Sequence, residues 1–369
     1  MKFELLRDKA LAPLVLVTSV IERRQTLPIL SNILIKMEKN ILSLIGTDLE
    51  VEIQIDVPVE SENSLPGSST VNARKLLDIC KTLPDGATLR VAQSENQIKI
   101  QSGRSRYTLQ SLPSQDFPRL DEKGHWEERF KLTQSDLRRI FEKTAFSMAQ
   151  QDVRYFLNGV LLEISGTELT AVATDGHRLA LSHARLPEAI ETARQVIVPR
   201  KAVHELTRFL EGTDSPITVE MSSSHLRFSR AGAVLITKVI DGKFPDYRAV
   251  MAQNLTQTIV ADRVELYDAL ARTSVLANEK HRGVRLVLES GSLKVSAHNP
   301  DQEEASDEIE VEYSGDQIEI GFNVAYLMDA LRAFSEKEIE VHLQDGNSGC
   351  LLRTREDETT KYLIMPMRL

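Results

Sequence analysis

Apolar residues spaced three, four and seven positions apart predict an amphipathic helix at three places along the chain. Each pattern follows a short strand-like segment, Phe3-x-Leu5 before the first helix and Phe130-x-Leu132 before the second. This spacing puts the apolar side chains on one face of a helix, where they can be buried together. The positions are Leu11, Leu14 and Thr18, then Leu137, Ile140 and Thr144, then Leu266, Ala269 and Thr273.

The starts of these helices carry their own signals. Thr133-x-x-Asp136 and Asp262-x-x-Glu265 have the spacing of a capping box, in which side chains bind the free amides of a first helical turn. Pro13 predicts that the first helix begins just before it, because a proline deeper in a helix removes a hydrogen bond.

Three further landmarks recur in the same order with a period near 126 residues. They predict three tandem copies of one α+β domain, residues 1–126, 127–253 and 254–369, each with two helices and several antiparallel strands. The alternative is three unrelated small domains. The landmarks are a strand ending in Thr47-Asp48, Thr174-Asp175 or His298-Asn299, a second helix opening at Arg74-Lys75, Arg200-Lys201 or Asn323-Val324, and the pairs Phe117-Pro118 and Phe244-Pro245.

Composition narrows the class of protein. The chain has 369 residues, more than one core usually organises, and its formal net charge of -9 argues against indiscriminate binding of polyanions. Cys80 and Cys350 have no CxxC partner, which predicts core thiols in a reducing cytoplasm and no metal site. Without a long apolar run or a signal-peptide pattern, the sequence is interpreted as a complete cytoplasmic protein.

An acid beside an imidazole, at Asp175-Gly176-His177, is the one arrangement that suggests catalysis. Acid–base or nucleophilic chemistry needs a third group held near the histidine, and the sequence does not place one. Phosphate-binding, dinucleotide-binding and zinc-protease motifs are also missing from the sequence. We therefore expect no enzymatic activity, no cofactor and no metal.

Four long motifs resemble the bacterial DNA polymerase III beta subunit family, the sliding clamps. The resemblance runs from Met1 to Leu369 and implies a head-to-tail homodimer, whose six domains close a ring with helices inside and sheet outside. Such a ring encircles duplex DNA and tethers polymerases for processive synthesis. The alternative is a non-circular DNA-binding or scaffolding protein built on the same repeat. The motifs are Thr174-Asp175-Gly176-His177-Arg178-Leu179, Asp241-Gly242-Lys243-Phe244-Pro245-Asp246-Tyr247, Asn278-Glu279-Lys280-x-Arg282-Gly283-Val284-Arg285 and Met365-Pro366-Met367-Arg368-Leu369.

The resemblance reconciles an acidic chain with DNA. Basic residues collect on the predicted helices and acidic residues elsewhere, so an inner wall can be positive while the exterior is negative. Phosphate contacts hold DNA without reading its sequence. Tyr155 and Phe156 are alternatively core aromatics, and burial is favoured for Phe156. The DNA contacts implied by the resemblance are Arg24, Arg74, Gln151, Tyr155 and Phe156.

The resemblance also implies a contact between the two protomers. The edge strand through Tyr107 and Leu109 meets the third domain of the partner, where Val275 and Leu276 add apolar contact. Pairing two sheet edges would satisfy their exposed backbone groups. The alternative is that these four residues belong to the cores of their own domains.

A pocket for partner peptides is the last implied site. Polymerase III alpha, other polymerases, the clamp loader and repair proteins would insert a short motif rich in Gln, Leu and Phe. Ala249 and His281 depart from the family pattern near this pocket, and the terminal strand alternatively only completes its sheet. The residues are Leu157, Thr174, Gly176, His177, Arg178, Leu179, Pro245, Val250, Asn323, Tyr326, Leu363, Ile364, Met365, Pro366, Met367, Arg368 and Leu369.

Overall fold

The helices and strands were located in a computed structural model that describes residues 1–24, 26–61, 63–120, 126–251 and 255–368. The α-helices are α1 (Arg7–Ser19), α2 (Ala73–Thr82), α3 (Gln134–Glu142), α4 (Arg200–Phe209), α5 (Tyr247–Met251), α6 (Arg263–Ser274) and α7 (Val324–Ala333). The strands are β1 (Lys2–Leu6), β2 (Asn32–Glu38), β3 (Ile41–Thr47), β4 (Val51–Pro58), β5 (Gly67–Asn72), β6 (Thr88–Ser94), β7 (Gln97–Ser102), β8 (Ser105–Gln110), β9 (Glu128–Thr133), β10 (Gly159–Thr174), β11 (Arg178–Pro199), β12 (Pro216–Met221), β13 (His225–Arg230), β14 (Ala233–Lys238), β15 (Gln257–Asp262), β16 (Gly283–Glu289), β17 (Ser292–His298), β18 (Glu304–Glu310), β19 (Ile318–Asn323), β20 (Glu338–Leu343), β21 (Cys350–Arg353) and β22 (Thr360–Ile364).

The chain forms two compact units, one of residues Met1–Ser135 with Lys201–Val239 and one of Asp136–Arg200 with Ile240–Leu369. The first unit contains a four-stranded sheet, β1-β6-β7-β8, and an eight-stranded sheet, β5-β2-β3-β4-β14-β13-β12-β9. The second contains a six-stranded sheet, β10-β11-β22-β21-β20-β15, and a four-stranded sheet, β18-β17-β16-β19. All of these pairings are antiparallel, as the α+β prediction requires.

Strands from different copies of the repeat join in the larger sheets. In the first unit β4 pairs with β14, and in the second unit β11 pairs with β22. Each pairing covers backbone groups that an isolated copy would leave exposed at a sheet edge. The repeat is therefore continuous in hydrogen bonding across the expected domain boundaries.

In the first unit, α1 and α2 pack together, and α1 also packs on β3 and β4. The side chain of Asn72 caps α2 by accepting a hydrogen bond from the amide of Lys75 at 3.1 Å. The expectation that the first helix begins just before Pro13 is wrong, because α1 begins at Arg7 and Pro13 lies inside it. Burial of Ala10 and Leu14 on the core face stabilises the helix despite the missing proline amide.

In the second unit, α6 and α7 pack together, and α6 lies against β17 and β18. Asp262 caps α6 as predicted, with Oδ1 accepting from the amides of Val264 and Glu265 at 2.9 and 3.1 Å. The recurring threonines Thr144 and Thr273 are buried, and each donates to the carbonyl four residues earlier, at 2.7 and 2.9 Å. The three predicted helices are thus confirmed, although α3 ends at Glu142, before Thr144, and Leu11 on α1 is only half-buried.

The two cysteines lie in the core. Cys80 and Cys350 are free and fully buried. Burial raises the pKa of the Cys80 thiol to about 11 and that of Cys350 to about 12, so both are protonated core groups at neutral pH. None of the described helices is long and apolar enough to cross a membrane.

Candidate partner-binding pocket

An apolar cavity of about 290 Å³ opens in the second unit beside the turn between β10 and β11. Its lining combines that turn, the segment around α5 and the end of β22. Nine residues of the pocket expected from the sequence lie in this lining. They are Leu157, Thr174, Gly176, Arg178, Leu179, Pro245, Val250, Leu363 and Met365.

The β10–β11 turn is fixed by its own side chains. Thr174 Oγ1 donates to the carbonyl of Arg178 at 2.6 Å and accepts from the amide of Gly176 at 3.1 Å. Asp175 Oδ1 accepts from the amides of His177 and Arg178 at 2.9 and 3.1 Å. These bonds satisfy the backbone of the turn and leave its apolar side free to form a cavity wall.

Gly176 has a structural reason for being glycine. Its φ is +90°, a conformation that L side chains rarely adopt. A Cβ atom built there would lie 3.1 Å from Nη1 of Arg154, closer than an ordinary van der Waals contact. The glycine therefore avoids backbone strain in the turn and permits the close approach of Arg154.

Arg178 is nearly buried and connects the turn to α7. Its guanidinium donates to Asp175 at 3.1 Å, to Asp329 at 2.7 Å and to the carbonyl of Phe146 at 2.7 Å. The guanidinium carbon also lies 4.5 Å from the ring centroid of Tyr326. Because its guanidinium is bound to these protein groups, Arg178 has a structural role and shapes the cavity wall.

The Asp175–His177 pair does not form an acid–base constellation. The Asp175 carboxylate accepts from two turn amides and from Arg178, which accounts for its position. The exposed His177 ring stacks on Tyr326 with centroids 6.4 Å apart, beside the cavity and outside its lining. The pair is thus part of the turn and of its exposed rim.

The residues after β22 are held in place by backbone hydrogen bonds. The amide of Met365 donates to the carbonyl of His177, and that of Met367 to the carbonyl of Gly321, both at 2.8 Å. Met365 reaches the cavity, whereas Ile364 turns into the core and is 1% exposed.

The remaining predicted pocket residues lie outside the cavity lining. Asn323 instead caps α7 by accepting from the amide of Ala325 at 3.0 Å. Leu369 lies outside the described residues. The others outside the lining are His177, Tyr326, Ile364, Pro366, Met367 and Arg368.

Four lining residues were not assigned to the pocket from the sequence: Arg154, Phe156, Phe244 and Tyr247. The Phe244-Pro245 landmark was the available signal for Phe244 and Tyr247. No sequence signal pointed to Arg154. Its guanidinium makes a bidentate contact with Asp152, at 3.1 and 2.8 Å, that holds it in the cavity lining. That contact lowers the pKa of the Asp152 carboxyl to about 2, so the ion pair persists at neutral pH.

The predicted DNA-contacting residues divide between the two units. In the first unit Arg24 is exposed, and the exposed Arg74 donates to the carbonyl of Ile21 at 3.1 Å. In the second unit Gln151 is exposed with a φ of +55°, and Tyr155 is 57% exposed. Phe156 is half-buried and lines the cavity, in keeping with the burial favoured for it.

Some basic side chains on the helices predicted to face DNA form ion pairs with neighbouring acidic residues. Lys201 contacts both Asp48 and Glu22, and Arg208 binds Glu205 at 2.8 Å. These pairs reduce the positive charge that the helices were expected to present.

The predicted protomer contacts lie on an end strand of one sheet and just after a helix. Tyr107 and Leu109 are half-buried on β8, the last strand of its sheet. Val275 is 77% exposed at the end of α6, and Leu276 follows it half-buried. None of the four belongs to the fully buried core of the described residues.

The two departures from the family pattern lie outside the cavity lining. Ala249 is exposed on α5 between the lining residues Tyr247 and Val250. His281 is exposed, and its amide donates to Asn278 at 3.1 Å.

Within the described ranges, no group of three or more His, Cys, Asp or Glu side chains is arranged to hold a metal ion.

Comparison with known proteins identifies the class. The family models for the N-terminal, central and C-terminal domains of the DNA polymerase III beta subunit match residues 1–121, 131–246 and 248–368. The beta sliding clamps of Pseudomonas putida and Escherichia coli K12 are 47% and 43% identical to the chain, with complete coverage of both sequences. The crystal structure of the DNA polymerase III subunit beta from Pseudomonas aeruginosa has a TM-score of 0.97 at 46% identity, again over all of both chains.

These matches place the chain in the class of DNA sliding clamps. Within that class, the chain belongs to the DNA polymerase III beta subunit family. Its function is that of a non-catalytic processivity clamp in DNA replication.

Proposed function

We propose that two copies of the chain close head to tail into a six-domain ring that encircles duplex DNA. The ring tethers the polymerase by topology, without reading the base sequence. The observation that carries the proposal is the full-length match of all three domains to clamps. The ring works in the cytoplasm, in keeping with its two free, buried thiols.

Complementary sheet edges support the head-to-tail contact. β8 and β18 are end strands of their sheets, each with one side unpaired among the described strands. Arg104 and Arg106 lie at or beside β8, whereas β18 carries Glu304, Glu308 and Glu310. Opposite charges favour pairing of β8 with the partner's β18 over pairing of like edges, and Val275 adds an apolar contact nearby.

Exposed polar and basic side chains support contact with the DNA backbone. Arg24 and Arg74 are exposed and suited to phosphates, and Gln151 and Tyr155 offer hydrogen-bond donors. Such contacts exchange readily between neighbouring phosphates, which permits sliding. The ring of Phe156 packs edge-to-face with that of Tyr155, with centroids 5.9 Å apart, and so supports the Tyr155 side chain at this surface.

The cavity supports docking of an extended peptide. Its walls are largely apolar, through Leu179, Val250 and Leu363, and suit the Leu and Phe side chains of a short linear motif. Met365 is flexible enough to fit different anchors. We assign the polymerase III alpha subunit, other polymerases, repair proteins and the clamp loader to this one pocket.

Retention on closed DNA tests encirclement directly. The clamp is loaded onto closed circular DNA by an ATP-driven clamp loader, and the complex is isolated before the circle is cut once with a restriction enzyme. We expect the clamp to stay on the closed circle and to slide off the linear product. Equal retention on both forms would refute the ring.

A further inference from the structure

Glu163 is a buried carboxylate outside the cavity lining that holds a residue of the cavity wall. It lies on β10 and is 7% exposed. Its Oε2 accepts hydrogen bonds from the hydroxyl of Tyr247 at 3.2 Å and from Nε2 of Gln195 at 2.7 Å. The ring of Tyr247 lines the cavity, so one end of a wall residue is fixed from behind.

Arg248 completes the arrangement. Its Nη1 donates to Glu163 Oε2 at 3.1 Å, and its Nη2 contacts Oε1. The guanidinium carbon also lies 4.7 Å from the ring centroid of Tyr247. Tyr247 is therefore held both at its hydroxyl and across one face of its ring.

The protonation states suit this geometry at neutral pH. Burial opposes ionisation of Glu163, but the hydrogen bonds from Arg248 and Gln195 outweigh it and lower the pKa of the carboxyl. Burial, with the negative charge of Glu163, raises the pKa of Tyr247 to about 12. An ionised carboxylate thus accepts from a neutral phenol.

The element that carries these residues needs such anchors. α5 has five residues, too few to form a stable helix by itself. Phe244 is buried just before it, and Asp246 Oδ1 accepts from the amide of Arg248 at 3.2 Å. Tyr247 and Val250, three residues apart on one helical face, both reach the cavity, so any shift of α5 moves the wall.

We infer that Glu163 and Arg248 are positioning residues of the peptide pocket. They fix α5 so that Tyr247 and Val250 form the cavity wall, and they tune peptide affinity without touching the peptide. This inference rests on the proposed peptide-binding function of the cavity.

The first copy of the repeat uses the same device in the corresponding segment. Glu52 on β4 is 1% exposed and accepts from Nε of Arg119 and from the amide of Leu120, both at 3.0 Å. In the first two copies a buried glutamate thus fixes the chain two to four residues after the Phe of the Phe-Pro landmark, although the two glutamates lie on strands that are not equivalent in the repeat. In the second copy that segment carries a cavity wall.

Peptide affinity in three variants tests the inference. The variants are Glu163→Gln, Arg248→Gln and the double substitution, and the probe is a short fluorescein-labelled peptide containing the Gln, Leu and Phe motif. We expect about five- to tenfold weaker binding for each single variant, the scale of one ordinary hydrogen bond. The double variant should bind no more weakly than the weaker single one, because the two residues act as one unit.

Glu340→Gln is the matched control. Glu340 is also 7% exposed, lies in the same six-stranded sheet and binds Arg353 and Arg355 at 2.9 and 2.6 Å, but it is absent from the cavity lining. Removal of its charge also breaks a buried network and should leave peptide affinity unchanged. Equal weakening by Glu340→Gln, or unchanged binding by Glu163→Gln, would overturn the inference.

Hydrogen–deuterium exchange supplies a readout that does not need the peptide. In Glu163→Gln, amides of residues 244–251 should exchange faster, whereas those of β20 should not. If the unsubstituted protein fails to bind the peptide, the proposed pocket function is wrong, and the exchange rates alone decide whether Glu163 positions α5. Unchanged exchange in α5 would refute that role.

Discussion

Thr47 and Thr174 form the same two hydrogen bonds in turns 127 residues apart in the sequence. Thr47 Oγ1 donates to the carbonyl of Val51 and accepts from the amide of Leu49, both at 3.0 Å. Thr174 makes the equivalent bonds to Arg178 and Gly176. The residue with positive φ is leucine in the first turn, at +75°, and glycine in the second, at +90°, and the second turn lines the cavity.

Replacement of Gly176 by alanine should weaken peptide binding without preventing folding. Leu49 shows that such a turn forms with a side chain present. The new Cβ would lie 3.1 Å from Nη1 of Arg154, so the guanidinium has to shift by a few tenths of an ångström at the cavity wall. We expect about tenfold weaker binding, or ~1.4 kcal/mol, in a fluorescence anisotropy titration.

Gly291→Ala is the control for this substitution. Gly291 lies in the turn between β16 and β17 with a φ of +79°, and nothing lies within 4 Å of its Cβ position. The variant carries similar backbone strain, about 1–2 kcal/mol, at a position outside the cavity lining. Unchanged peptide affinity in Gly176→Ala, or an equal loss in Gly291→Ala, would contradict the role given to Gly176.

The sequence predicted the helices better than it predicted the cavity. Leu137 and Ile140 follow a helical period and are both buried, because periodicity directly reflects which face of a helix meets the core. Arg154 reaches the β10–β11 turn by donating from Nη2 to the carbonyl of Asp175 at 3.3 Å, a contact between residues 21 positions apart that leaves no local pattern. The pairing of β4 with β14, some 180 positions along the chain, likewise depends on strand edges that local patterns do not rank.

Tyr362→Phe should stabilise the protein. Tyr362 is 1% exposed between the rings of Phe146 and Phe334, and its hydroxyl has no hydrogen-bond partner among the described residues. An unpaired buried hydroxyl costs about 1–3 kcal/mol, and its removal should raise the free energy of unfolding by about 1 kcal/mol. Denaturant titration measures the change, and a fall in stability would show that the hydroxyl is satisfied.

Acidification should destabilise the second unit through His342. Burial, and the positive charge of Arg353, lower the pKa of His342 below its ordinary 6.5 despite its contact with Glu340. Between the two pKa values the unfolded chain binds more protons than the folded one. The free energy of unfolding therefore falls as the pH decreases from neutral to below 6.5.

His342→Gln should reduce the dependence of the free energy of unfolding on pH. The midpoint of urea unfolding, measured at several pH values, gives that dependence. His298→Gln is the control, since His298 is an exposed histidine at the end of β17. If both variants keep the slope of the unsubstituted protein, another group is responsible.

Val275→Lys should disrupt the proposed dimer. Val275 is 77% exposed at the C-terminal end of α6, where a lysine suits the helix dipole and should not disturb folding. Burying its charge in the protomer contact would cost at least ~2 kcal/mol, which weakens association about 30-fold or more. Native mass spectrometry should shift from roughly 83 kDa, twice 41.5 kDa, toward the monomer.

Val264→Lys is the matched control on the same helix. Val264 is 49% exposed near the start of α6 and has no place in the proposed contact. That variant should remain dimeric. A dimeric Val275→Lys protein would move the protomer contact elsewhere, and a monomeric unsubstituted protein would refute the ring altogether.

Two truncations distinguish peptide binding from completion of the sheet. Removal of residues 365–369 deletes Met365 from the cavity wall and the backbone bond from its amide to His177. Removal of residues 367–369 keeps both and, among the backbone hydrogen bonds of the described residues, loses that from Met367 to Gly321. Because β22 ends at Ile364 and stays paired with β11, neither truncation should disturb dimerisation.

The longer truncation should abolish binding of the motif peptide, and the shorter one should weaken it only partly. Peptide titration and native mass of the same samples separate the two roles. If the longer truncation also dissociates the dimer, these residues serve the fold as a whole. If both truncations bind like the full chain, Met365 is not part of the binding wall, and recognition depends on the β10–β11 turn and α5 alone.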